Sequence, residues 1–210
     1  MSAALELAAP ALGIEPAFHS CTPRARSTAL GRGRLQALTQ PIRQARHRPL
    51  THFEAGQVLL LQGDISKAAY YVEQGCLRLN YNDEGRDITL KFFFPGSIVS
   101  SMESYVYGTP SQFGIETVIP TITRKVSKDH YDRLVNTDPG FGDIIQRIAI
   151  DRMRAYQDLF LKQIKNTPEE RYTELLQEMP EIFDLVPHHY IASYLGVTRV
   201  SLSRIRRRLK

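Results

Sequence analysis

The sequence predicts an α+β protein in which a β-rich unit comes first and helices follow it. Glycines recur between residues 56 and 114, and the short segments between them are rich in Val, Ile, Leu, Tyr and Phe, which is typical of an antiparallel barrel or roll. One apolar stripe then follows a single helical face over residues 141–165. Residues 188–210 contain two further helical patterns on either side of a glycine.

The most regular strand pair is expected around residues 77–92. Leu77, Leu79 and Tyr81 alternate with polar residues, and the same alternation resumes after a turn at 83–85 and continues to Phe92. A period of two predicts a half-buried β-hairpin. Further strands are expected at 58–61, 70–73, 97–101, 114–118 and 121–126.

The pattern becomes helical at Ser127, where the period changes to about 3.6 and predicts a short helix through Val135. After a break at 138–140, a long helix is expected over residues 141–165. Its stripe consists of Ile145, Ala149, Met153, Tyr156, Phe160 and Ile164. At 1.5 Å per residue this helix is roughly 37 Å long. Because that exceeds a small barrel, we expect it to pair with a second copy in a homodimer, although packing on its own barrel is the alternative.

The C-terminal helices begin with Thr167, Pro168 and Glu170, whose spacing predicts a capping box and a helix that ends before Pro180. In the last segment, Ile191 and Leu195 give a short apolar helix, Gly196 gives a turn, and a second apolar stripe ends at Leu209.

The outer face of this last helix is almost entirely polar and positively charged. Residues 198–210 contain five Arg and one Lys and no acidic residue. The pattern is a first helix that contains a small residue, a glycine turn and a basic second helix. This pattern predicts a helix-turn-helix that reads DNA. The alternative is a basic helix that is only a solvated surface.

Composition limits the other function classes. The net charge is +5, but residues 1–50 contain seven Arg against two Glu, so the basic pI is not itself evidence for nucleic acid. Two cysteines are too few for a disulfide framework or a four-thiolate metal site, and no segment is apolar enough to span a membrane. We therefore expect a cytoplasmic protein. Residues 1–48 are expected to be a poorly ordered basic segment, with an organelle transit peptide as the alternative.

The order of these units resembles the Crp/Fnr family of bacterial transcription regulators. The resemblance covers residues 50–210 and is most specific at PGSIVSSMESYVYGTPSQFGIETV, residues 95–118, and IASYLGVTRVSLSRIRRRL, residues 191–209. It implies a double-stranded β-helix, or jelly roll, of the cyclic-nucleotide-binding type over residues 49–138. It also implies a dimerisation helix at 139–166 and a winged helix-turn-helix DNA-binding domain at 167–210.

The first motif corresponds to the family's phosphate-binding cassette, in which a carboxylate holds the ribose and an arginine holds the cyclic phosphate. Glu103 occupies the carboxylate position, but Ser111 and Gln112 follow Pro110 where the arginine is expected. Loss of a bidentate grip on phosphate argues against tight cyclic AMP binding. The pocket would then hold a different, less anionic ligand, or the loop would be exposed and the roll free of ligand. The resemblance implies these ligand-binding residues: Gly96, Ser97, Met102, Glu103, Ser111, Gln112, Tyr156 and Gln157.

For DNA, the resemblance implies contacts from the second helix of the helix-turn-helix. The residues concerned are Thr198, Arg199, Val200, Ser201, Ser203, Arg204, Arg207 and Arg208. Val200 stands where an acidic base-reading residue is usual, so the operator sequence cannot be transferred from relatives. The implied partners are double-stranded DNA, a second copy of the chain through residues 141–165, and RNA polymerase.

Two other functions remain open at this stage. A cupin-like metal enzyme would need several His and a Glu on neighbouring strands, and the barrel that the strands are predicted to form contains His52 alone. The adjacent His188 and His189 point about 100° apart on a helix, so they are not expected to bind a metal. The other alternative is a sensor or scaffold subunit that does not bind DNA. We expect no catalytic residues.

Overall fold

The computed structural model describes residues 49–209, and the predicted N-terminal segment 1–48 lies outside the described residues. The strands are β1 (Leu50–Phe53), β2 (Val58–Leu60), β3 (Ala68–Gln74), β4 (Leu77–Asp83), β5 (Arg86–Phe93), β6 (Ile98–Val99), β7 (Gly114–Thr117) and β8 (Thr121–Ser127). The helices are α1 (Met102–Tyr107), α2 (Lys128–Thr137), α3 (Pro139–Lys165), α4 (Pro168–Glu178), α5 (Ile182–Leu185), α6 (His188–Tyr194) and α7 (Arg199–Arg208).

The strands form two antiparallel sheets of four strands each, with orders β1-β8-β3-β6 and β2-β7-β4-β5. This arrangement is the jelly roll that the sequence predicts. The hairpin β4–β5 is confirmed, and its two-residue turn has positive φ at both positions, 50° at Glu84 and 92° at Gly85. Positive φ at both central residues is characteristic of a type I′ turn, whose twist matches that of the paired strands. The apolar residues that alternate along the strands fill the space between the sheets.

The tightest backbone approach in the roll is at Gly75, between β3 and β4. Its φ is 91°, and a Cβ built there would lie 2.5 Å from the carbonyl oxygen of Pro120. Only glycine fits because the position needs both a left-handed backbone and the space of a missing side chain.

Two elements of the roll differ from the expectation. A strand was expected over 97–101, but β6 has two residues and α1 follows it directly. The helix begins where Tyr105 N donates to Ser101 O at 2.7 Å, and it ends at Gly108 with φ 71°. Tyr105 is 2% exposed and its hydroxyl donates to Ser127 O at 3.0 Å. Burial of this ring on α2 therefore decides the local conformation.

The long helix α3 starts two residues earlier than expected, at Pro139. The side chain of Asp138 caps it by accepting from Gly140 N at 3.0 Å, and proline is favoured in the first helical turn. Phe141 is buried, whereas much of the stripe is exposed, including Met153 at 54%, Phe160 at 65% and Ile164 at 64%. Within residues 49–209, no helix has the length and hydropathy that crossing a bilayer requires.

The C-terminal helices pack on one another and on the roll. The capping box of α4 is confirmed, because Thr167 N donates to Glu170 Oε2 at 2.7 Å and Glu170 N donates to Thr167 Oγ1 at 3.3 Å. Residues 167–209 contain no strand, so the wing that the resemblance implies is not present in that segment. A single hydrophobic cluster joins Cys76, Phe92, Phe94 and Val118 of the roll to Ile191, Leu195, Leu202 and Ile205 of the helices.

Candidate nucleic-acid interface and effector cavity

The helices α6 and α7 form a two-helix unit joined by a turn. Gly196 has φ 68° and Val197 packs against the shared hydrophobic cluster. Thr198 caps α7, since its Oγ1 accepts from Ser201 N at 3.1 Å. Leu202 and Ile205 are 1% and 4% exposed and hold the buried side of α7 against α6.

The opposite side of α7 faces solvent. Of the eight residues that are predicted to contact DNA, seven are exposed and Ser201 is half-buried. The exposed ones are Thr198, Arg199, Val200, Ser203, Arg204, Arg207 and Arg208. The structure thus gathers the predicted residues on one surface that is accessible in this conformation of the chain.

Two arginines of α7 have partners within the chain. Arg206 Nη1 lies 2.8 Å from Nε2 of His188, and Arg208 Nη1 lies 3.2 Å from Glu169 Oε1. A cleft of about 320 Å³ beside this helix is lined by His188, Arg199, Leu202, Ser203, Arg206 and Arg207. Such a concentration of guanidinium groups suits an anion such as a backbone phosphate.

His189 lies beside this surface, where its ring centroid is 3.9 Å from that of Tyr190. Desolvation lowers the pKa of His189, and the positive charges of Arg199 and Arg78 lower it further. Neither His188 nor His189 belongs to a group of three or more metal-binding side chains in the described part of the chain.

A polar network connects the roll to α6. Arg78 on β4 is 2% exposed, and its Nε donates to Glu116 Oε1 at 2.7 Å while Nη2 donates to Asp87 Oδ2 at 2.6 Å. Its guanidinium carbon lies 4.0 Å from the ring centroid of Tyr190, whose hydroxyl is 3.2 Å from Glu116 Oε1. Desolvation alone would lower the pKa of Arg78, but the hydrogen bonds to the two carboxylates raise it above its ordinary value.

A second contact of α6 with the roll runs through Ser193. Its Oγ accepts from Thr89 N at 2.9 Å and donates to Asp87 O at 3.1 Å. Phe92 and Tyr194 pack nearby with ring centroids 5.4 Å apart. Sequence reasoning missed this contact because the residues that form it are about a hundred positions apart in the chain.

A large cavity lies between the roll, α1 and α3. Its volume is about 790 Å³. Its lining consists of Leu79, Leu90, Ser100, Ser101, Met102, Glu103, Ser104, Pro110, Gln112, Phe113, Ala149, Arg152, Met153, Tyr156, Gln157, Leu159 and Phe160. Five of the eight predicted ligand-binding residues are thus brought together here, namely Met102, Glu103, Gln112, Tyr156 and Gln157.

The other three predicted ligand residues lie outside this lining. Ser111 is buried, and its Oγ donates to Phe113 O at 2.7 Å and accepts from Phe113 N at 3.1 Å. Gly96 and Ser97 form the turn before β6, where Gly96 N donates to Val72 O at 2.9 Å. Their role in ligand binding stays a prediction.

Two cations were not predicted from the sequence, of which Arg152 lines the cavity and Lys91 lies near one of its lining residues. Arg152 of α3 lines it and donates from Nη2 to Ile98 O. Lys91 Nζ of β5 lies 5.2 Å from the ring centroid of Tyr156, another lining residue. Desolvation lowers the pKa of both side chains, and the charge of Arg152 lowers that of Lys91 further. The available sequence signal was that Arg152 continues the helical row of Ala149 and Tyr156.

Comparison with known proteins agrees with this geometry. Residues 50–138 match the family model described as the cyclic nucleotide-binding domain. No curated protein sequence matches the chain. Among solved structures, the c-di-GMP-responsive global regulator CLP of Xanthomonas campestris aligns with TM-score 0.64 and 16% identity, over 80% of this chain and 89% of that one.

Two further structures have the same fold. FixK2 from Bradyrhizobium japonicum aligns with TM-score 0.68 and 19% identity, over 77% of this chain and 84% of that one. A transcriptional regulator of the Crp/Fnr family from Thermus thermophilus aligns with TM-score 0.58 and 21% identity, over 75% of this chain and 83% of that one.

Residues 50–138 are therefore similar in sequence to cyclic nucleotide-binding domains. The described residues as a whole share the fold of these three solved proteins, one of which is a Crp/Fnr-family regulator, so the resemblance predicted from the sequence is confirmed at the level of the fold.

Proposed function

We propose that the protein is a homodimeric, sequence-specific DNA-binding regulator whose roll senses an effector. The observation that carries the proposal is the surface of α7, on which Arg199, Ser203, Arg204 and Arg207 are exposed together beside a capped helix start. A basic helix of this kind, held by a short preceding helix and a glycine turn, fits the major groove, where Arg contacts both phosphates and base edges.

The long helix supports the homodimer. Its apolar stripe stays exposed in the single chain, with Met153, Phe160 and Ile164 each more than half exposed. Contiguous apolar surface of this kind is typical of an interface, and a parallel twin helix would cover it in a symmetric pair. Two reading helices would then meet half-sites about 34 Å apart, one turn of DNA.

The cavity between roll and helix supports the sensing role. It touches both the cassette segment around Glu103 and the dimer helix around Tyr156, so an occupant would contact the two units at once. Ligand binding there would favour one arrangement of the helices over another in proportion to its difference in affinity. Cyclic AMP does not fit well, because the cassette has Ser111 and Gln112 in place of the phosphate-binding arginine.

Selection of bound fragments from a random duplex library tests DNA recognition. We expect an enriched inverted repeat and an affinity that falls with salt, because each phosphate contact contributes a slope of about −0.9 to the logarithmic salt dependence. The double variant Ser201→Ala with Arg204→Ala should weaken specific binding by roughly 10-fold or more.

The matched control is Arg86→Ala, which removes the same charge from the exposed hairpin turn, where the Arg86 side chain is 73% exposed. It should leave specific DNA affinity within about twofold, since it lies on the roll. If no repeat is enriched, or if both variants weaken binding equally, α7 does not read DNA and the chain is better explained as a sensor subunit without DNA binding.

A further inference from the structure

We propose that the cavity between the roll and α3 binds an amphipathic anion, with an apolar body against the cavity wall and one acidic head group held by Arg152 and Lys91. This inference rests on the proposed sensing role of the roll and specifies the class of its effector.

The wall of the cavity selects an apolar body. Seven of its larger lining side chains are apolar, namely Leu79, Leu90, Met102, Phe113, Met153, Leu159 and Phe160. Its volume of about 790 Å³ lies within the range of pockets that enclose small organic ligands, roughly 300–1,000 Å³. Polar ligand groups placed against these apolar side chains would have no hydrogen-bond partner there and would weaken binding.

The two cations select the head group. None of the ion pairs within residues 49–209 includes Arg152 or Lys91, and Arg152 donates a hydrogen bond to the Ile98 carbonyl. Arg152 also belongs to the lining of the cavity, whose wall is mostly apolar. The positive charge of Arg152 lowers the pKa of Lys91, so the two cations repel each other, and an anion bound near both would reduce that repulsion.

The same arrangement disfavours other ligand classes. A neutral apolar molecule would leave both charges uncompensated. The lining also includes Glu103, which is exposed, so a ligand with negative charge along its whole length would meet repulsion on that side. One head group at the Arg152 end of an otherwise apolar molecule satisfies both conditions.

Fluorescence titration of the full chain with two dyes of nearly equal apolar shape tests the proposal. Anilinonaphthalene sulfonate carries one anionic group, and phenylnaphthylamine is its uncharged counterpart. We expect the sulfonate to bind one site per chain at least about tenfold more tightly than the neutral dye, the factor that one charge-assisted hydrogen bond supplies.

Variants of α3 identify the site. Arg152→Gln should lower the affinity for the sulfonate dye by about tenfold and leave the affinity for the neutral dye unchanged. The unchanged affinity for the neutral dye would also show that the cavity is intact. Arg154→Gln is the control, because Arg154 is exposed and lies about 160° around the helix from Arg152. Lys91→Gln should give a smaller loss for the sulfonate alone, since an ammonium has no bidentate geometry.

Equal affinity for the two dyes, or sulfonate binding that does not change in Arg152→Gln, overturns the proposal. Absence of binding by either dye also overturns it, because the cavity is then filled by the second copy of the chain. Anisotropy with the selected DNA duplex, measured on the same samples, separates the two ideas. If the protein binds DNA but does not prefer the sulfonate dye, only the proposed effector class is wrong. If it prefers the sulfonate dye but does not bind DNA, the proposed regulatory function is wrong.

Discussion

The buried arginine between the roll and α6 allows a quantitative test of how the two are held together. Arg78 has a side chain that is 3% exposed, and it contacts Glu116, whose side chain is 14% exposed, and Asp87, which is 47% exposed. Replacing Arg78 by Met keeps the apolar stem and removes the charge and its donors. Glu116 is then left largely buried, with the Tyr190 hydroxyl as its remaining hydrogen-bond partner among the contacts described.

The magnitude follows from this burial. Removing one partner of a buried ion pair costs about 3–5 kcal/mol of unfolding free energy. Asp87 can be hydrated, so its loss of a partner adds little, and we expect the lower end, about 3 kcal/mol. For a chain of this size that corresponds to a melting temperature lower by about 6–12 °C.

Urea unfolding followed by circular dichroism measures the effect, with Arg86→Met as the control. Arg86 pairs with Asp83 at 2.6 Å but its side chain is 73% exposed, so its loss should cost less than about 1 kcal/mol. Adding Glu116→Gln to Arg78→Met should restore about 1–2 kcal/mol, because a buried neutral amide is less costly than a buried charge. A cost for Arg78→Met similar to that for Arg86→Met, or no recovery in the double variant, would refute the reasoning.

Two further predictions concern α3, the proposed dimer helix, and the roll. Phe160→Asp places a charge in the exposed apolar stripe and should shift the chain from dimer to monomer in sedimentation experiments, whereas Arg147→Asp, about 140° around the helix, should not. Gly75→Ala should lower the unfolding free energy by at least about 2 kcal/mol more than Gly63→Ala in the same urea assay. Both glycines have φ near 90°, but an added Cβ would lie 2.5 Å from backbone oxygen at Gly75 and meets nothing within 4 Å at Gly63. Equal costs would mean that the backbone at Gly75 relaxes freely.

Features that depend on neighbouring residues were predictable. The hairpin around Glu84 and Gly85, the capping box at Thr167 and the long helix were predicted because turn chemistry, capping and helical periodicity act over fewer than eight residues. The helix α1 was missed because burial of Tyr105 against distant elements, including the Val126–Ser127 backbone, overrides the local pattern. The cations of the cavity were missed for the same reason, since Lys91 and Arg152 lie 61 positions apart in the sequence.

The sequence by itself determined the order of the units, the amphipathic faces of the helices and the absence of an arginine directly after Pro110, because each is a property of residue identity and short-range spacing. Only the tertiary structure decided that α6 docks on the roll through Arg78 and Ser193. It also decided that Arg152 lines a largely apolar cavity and that Lys91 lies near Tyr156 of the same lining. Such contacts arise when the chain closes over many tens of residues, and the free energy that selects them comes from burial shared by surfaces that no local pattern identifies as partners.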